Sequence, residues 1–120
     1  MTAGDVIALV RQKLHDDTAG AYRWTDASLL GYLYDAQRAV KHYAPHYYLT
    51  ADDTIAEIVE PTTLNDTLTL DRRGKEPLAL WVCSKALSEE GQDAANIQLS
   101  GVFASACLAE LLGLSPRVGK

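Results

Sequence analysis

The chain has 120 residues, 48 % apolar and 22 % charged, with a formal net charge of -5. This size fits one domain, and this composition excludes wholesale disorder. The acidic balance argues against a strong sequence-independent grip on nucleic acid, and no apolar run approaches the roughly 20 residues that span a bilayer. Residues 1–5 lack the basic region of a signal peptide, so a soluble protein of a reducing cytoplasm is the expectation. Cys83 and Cys107 lie in apolar helical patterns and read as small buried hydrophobes rather than as a disulfide.

The first predicted helix covers residues 3–15. Thr2 caps it, and Asp5 reaches back as in a capping box. Val6, Leu9, Val10 and Leu14 form its apolar stripe, with Arg11, Gln12 and Lys13 on the other side. A polar segment ending in Gly20 follows. Thr25 then caps a second helix reaching Tyr43, with Asp26 near its positive end and Trp24 placed to pack onto Leu29. Its core stripe is Leu29, Leu30, Leu33, Ala36, Gln37 and Val40, while Asp35, Arg38 and Lys41 face water. Pro45 stops it.

The middle of the chain changes character. Residues 47–50, 54–59 and 67–70 are short strand candidates, with Pro61 and Asn65-Asp66 marking turns. Helix returns near Glu76, with Pro77 in its first turn and Leu80, Trp81, Ser84, Leu87 and Ser88 giving the period; Gly91 suits its C-cap.

A fourth helix covers residues 92–112. One stripe runs through Ala95, Leu99, Val102, Ala106 and Ala109, a second through Ile97, Gly101, Ala104, Leu108 and Leu112, and Phe103, Cys107, Leu111 and Leu114 fill the sector beside the first. Only Asp93 and Glu110 are charged between Gln92 and Pro116. Such a helix is either the central member of a bundle or packs partly against a second subunit. Gly101 implies a packing reason, because a mid-helix glycine costs roughly 1 kcal/mol against alanine.

The expected fold is therefore mainly α: a small four-helix domain over residues 1–114, with an irregular or short β-hairpin insertion between the second and third helices and a flexible tail at 115–120. Core positions include Trp24, Leu29, Leu33, Trp81, Leu99 and Phe103.

Catalytic chemistry finds no constellation. His42 and His46 have a metal-ligand spacing, but Pro45 breaks the helical geometry it needs. The pairs Asp16-Asp17, Asp52-Asp53 and Glu89-Glu90 read as solvated loop and helix ends. The run Asp71-Arg72-Arg73-Gly74-Lys75 lacks the spacing of a phosphate loop and reads as a solvated turn or a site for an anion or acidic partner. No cofactor or metal site is expected. Arg38, Lys41, Tyr43, Tyr47 and Tyr48 interleave basic and aromatic residues, which suits a helix end folded onto the core, a protein interface, or a small nucleic-acid-binding module.

The segment from Tyr22-Arg23-Trp24-Thr25-Asp26 through Leu29-Leu30 to Asp35-Ala36-Gln37-Arg38 resembles the early helix of head-tail adaptor (connector) proteins of tailed bacteriophages. Pro77-Leu78-Ala79-Leu80-Trp81-Val82, Ser84-Lys85-Ala86 and Gln92-Asp93-Ala94-Ala95-Asn96 before an alanine-rich last helix are similar to the same family. The resemblance implies a non-enzymatic structural virion protein. It implies a ring, often dodecameric, between portal and tail, extending a DNA channel that binds no specific sequence. Implied partners are the portal protein, tail or tail-completion proteins and further copies of the chain, with no membrane; the implied location is the virion neck, reached by assembly in the host cytoplasm. On this reading Leu114, Ser115, Pro116, Arg117, Val118 and Lys120 contact the portal. Asp52, Asp53, Glu57, Asp66, Arg72 and Arg73 contact neighbouring subunits or the tail.

Overall fold

The computed structural model describes residues 1–16, 18, 20–89 and 94–112, with backbone only for 94–97. Four α-helices appear among them: α1 (Ala3–Lys13), α2 (Asp26–Tyr43), α3 (Lys75–Glu89) and α4 (Ala94–Leu111). The predicted caps form. The Asp5 amide donates to Thr2 Oγ1 at 3.2 Å and the Thr2 amide to Asp5 Oδ2 at 2.9 Å, closing the capping box. The Ser28 amide donates to Thr25 Oγ1 at 3.1 Å. All six predicted core positions of α2 are buried. Gln37, the polar one, is satisfied: its amide donates to the Val59 carbonyl and it accepts from Tyr48 Oη, each at 3.3 Å.

The hairpin expectation fails: among the described residues there are no strands, only two isolated bridges, Leu49 with Ile55 and Thr2 with Thr67. Residues 47 and 48 instead belong to a 3₁₀ turn, Pro45–Tyr48. The reason is that other groups take the backbone bonds a ladder would need. Gln37 occupies the Val59 carbonyl, and Thr69 Oγ1 donates to the Glu57 carbonyl at 2.9 Å. The Ala3 and Gly4 amides, two of the orphan donors at the start of α1, bond the Asp66 and Leu64 carbonyls at 2.8 and 2.7 Å. The insertion therefore serves as the N-terminal cover of α1. Gly4 permits the approach, since a Cβ there would lie 2.9 Å from Leu64 O.

The central helix is α3. It packs on α1, α2 and α4, and Pro77, Leu78, Ala79, Leu80, Val82, Cys83, Ala86 and Leu87 are all buried on it. The fourth helix is peripheral by comparison, so of the two readings of its apolar surface the central-helix one fails. Ser100, Cys107 and Leu111 turn inward, with Phe103 and Ala106 partly buried against the core. Ser100 Oγ donates to the Ser84 carbonyl at 2.8 Å, and Cys107 Sγ lies 3.3 Å from the Pro77 carbonyl. Leu99, expected in the core, is exposed, and Trp81 is only half-buried.

Candidate functional site

Because α4 leans on α3 along one side, its opposite side is open. Val102 is 61 % exposed, Leu112 54 %, Leu99 44 % and Leu108 42 %. Gly101 and Ser105 are exposed between them. Gly101, Ser105, Leu108 and Leu112 fall at i, i+4, i+7 and i+11, a single longitudinal stripe on a helix. No charged residue shares this stripe. A Cβ at Gly101 would meet nothing within 4 Å, so no packing among the described residues accounts for that glycine. Scattered exposed apolar residues are ordinary on a monomer; here they share one side of a helix with an uncharged row.

The middle segment presents a second apolar surface, smaller and acidic. Leu49, Ile55 and Val59 are exposed there, among exposed Asp52, Asp53, Glu57 and Glu60. Thr50 and Thr54 pin the loop between the bridged residues: the Thr50 amide donates to the Thr54 carbonyl at 2.8 Å, and their hydroxyls lie 2.8 Å apart. Asp53 adopts φ +61°, a left-handed conformation that aspartate tolerates. Of the other interface candidates, Asp66 is engaged within the chain. Its carboxylate accepts from the amides and hydroxyls of Thr62 and Thr63, which holds its pKa below the ordinary 3.8. Arg73 is also engaged, pairing with Asp71 at 3.2 Å, whereas Arg72 is exposed. Residues 114–118 and 120, the proposed portal contact, lie outside the described residues.

The Arg23-Trp24-Thr25-Asp26 segment is a structural clasp. Asp16 is 6 % exposed and Arg11 5 %, so the expectations of a solvated Asp16 and an outward Arg11 are both wrong. Arg11 donates to Asp16 Oδ2 at 2.8 Å, to Asp26 Oδ1 at 2.7 Å and to the Trp24 carbonyl at 3.1 Å. Asp16 also accepts from the Arg23 and Trp24 amides at 2.6 and 3.2 Å. The guanidinium lies 3.6 Å from the Tyr22 ring centroid. A buried carboxylate needs such partners, and spacing in sequence did not reveal them.

The basic and aromatic cluster is divided by the fold. Tyr48 is buried, and burial raises its phenol pKa well above 10.0. Tyr47 is partly buried and Tyr43 exposed, while Arg38 sits 3.7 Å from Asp35 and 5.3 Å from the Tyr34 ring. His42 and His46 contact the rings of Tyr43 and Tyr47. Among the described residues no group of three metal-ligating side chains converges. Cys83 and Cys107 are free and buried, and desolvation pushes their thiols up to about 12 and about 11. No described helix is long and apolar enough to cross a membrane. No protein-family model, curated protein or solved structure matches the chain.

Proposed function

We propose that this chain is a structural assembly subunit, a head-tail adaptor of a tailed bacteriophage. It forms a ring, dodecameric in the usual form of that family, between portal and tail. The observation that carries the reading is the open side of α4, with Leu99, Val102, Leu108 and Leu112 at 42–61 % exposure and no charge in the Gly101, Ser105, Leu108, Leu112 stripe. Covering a fully exposed Leu or Val contributes about 1.5–3 kcal/mol, so covering these half-exposed residues contributes roughly 1 kcal/mol each. The unexplained Gly101 gains a purpose if a neighbouring backbone approaches there. The resemblance of residues 22–38 and 77–96 to adaptor helices supplies the named assembly.

In this role the ring extends the DNA channel, and an acidic chain leaves passing phosphates unbound. Residues 114–120 engage the portal, and the middle segment faces neighbouring copies or tail proteins. The test is to mix the chain with the portal protein of the same phage and image the product. A ring of this chain seated on the portal supports the proposal; a portal that binds none of it rejects it. Deleting residues 115–120 should weaken capture by the portal while leaving the helical body folded, and unchanged capture rejects the tail assignment.

A further inference from the structure

We propose that the loop bearing Asp52 and Asp53 docks, in a second copy of this chain, into the cleft lined by Met1, Asp5, Arg72 and Lys75. The inference rests on the assembly reading above and assigns it a specific contact. Its basis is where the fold leaves charge unpaired. Arg11, Lys13, Arg38, Arg73 and Lys85 each pair with a carboxylate. Lys41, Arg72 and Lys75 have no ion pair among the described residues, and the last two border one cleft of about 170 Å³. Asp5 shares that cleft; its carboxylate accepts from the Thr2 amide, which holds it ionised together with the nearby Lys75 charge, and Arg72 and Lys75 outnumber it.

One stretch of the insertion is rich in acids without an ion pair among the described residues: Asp52, Asp53, Glu57 and Glu60. Asp52 and Asp53 stand at the tip of the loop pinned by Thr50 and Thr54, with exposed Leu49 and Ile55 as apolar shoulders. The chain thus carries an acidic knob and a basic cleft that do not neutralise each other internally. Each is the other's complement in a neighbouring copy, where opposite charge sets register and partner choice. Knob and cleft are different patches; repeated head to tail, the contact makes a ring where the rotation closes, and paired reciprocally it makes a twofold dimer. A nucleic acid fits less well. The cleft contains a carboxylate, which repels a phosphate backbone.

The test uses the full chain in isotopically light and heavy forms, mixed and treated at high concentration with a carbodiimide. This reagent joins a carboxylate to an amine as an amide with loss of water. A mixed-isotope link from Lys75 to Asp52 or Asp53 is expected. In sedimentation, Asp52→Lys/Asp53→Lys and Arg72→Glu/Lys75→Glu should each weaken self-association roughly tenfold or more, and the combined fourfold variant should regain it. Added salt should weaken the wild-type association. Absence of the mixed link overturns the proposal, as does a combined variant no better than either double variant. So does a cleft reversal that abolishes duplex DNA binding while leaving self-association in sedimentation unchanged. If these fail while the chain still rings the portal, the adaptor reading stands and the ring closes through other residues.

Discussion

Replacing Arg11 with methionine tests the clasp between α1 and α2. The substitution keeps most of the side-chain volume and removes three donated hydrogen bonds, to Asp16, Asp26 and the Trp24 carbonyl. It leaves the Asp16 carboxylate, 6 % exposed, with the Arg23 and Trp24 amides as its partners among the described residues. Removing one partner of a buried ion pair costs about 3–5 kcal/mol, a large part of the roughly 5–15 kcal/mol that holds a domain together. The Asp26 side chain is 49 % exposed, so solvent screens its share and Asp26→Asn should cost less than about 1 kcal/mol. Urea denaturation followed by circular dichroism reads both values. Adding Asp16→Asn to Arg11→Met should recover part of the loss, because the stranded charge is gone. An Arg11→Met cost below about 1 kcal/mol, or an equal cost for Asp26→Asn, would refute the assignment of the clasp as a buried, charge-dependent element.

Three further outcomes follow from local geometry. Gly4→Ala should destabilise by roughly 1–3 kcal/mol despite alanine's better helix propensity, because its Cβ meets Leu64 O, whereas Gly101→Ala should stabilise the isolated chain by up to about 1 kcal/mol; thermal unfolding of the two variants gives the contrast. Asp5, Asp66 and Asp71 all have folded pKa values held below the ordinary 3.8 by backbone amides. Their stabilisation is therefore complete above that value and lost as pH falls below it; an acid titration of urea midpoints should decline there, and less steeply in Asp66→Ala. Cys83 and Cys107 should resist a thiol reagent in the native state at mildly alkaline pH and react on unfolding, since burial raises both thiols from the ordinary 9.0.

Periodicity and capping chemistry made α1 and α2 legible, down to the Thr2–Asp5 box and the buried Gln37, because both are local signals. The insertion was misread because β-branched residues predict a strand only when a partner strand is free to pair. Here Gln37, Thr69 and the start of α1 claim those backbone groups. Arg11 and Asp16 looked solvated because their partners lie across a loop, beyond any helical period. The fourth helix posed a different problem. Its composition showed that several sides want cover, but not which side the chain itself covers. The buried α3 answers that: one sector of α4, through Ser100, Cys107 and Leu111, is used within the chain, and both stripes traced from sequence contain residues left open.

The central claim is that this open side is covered by assembly. Native mass spectrometry of the chain with its portal, comparing wild type with Val102→Glu/Leu108→Glu, tests it most directly. Both positions are exposed in the single chain, so the variant should keep its monomer stability within about 0.5 kcal/mol. The account predicts a multi-copy complex for the wild type and its loss in the variant. A variant that assembles as well as the wild type would contradict it.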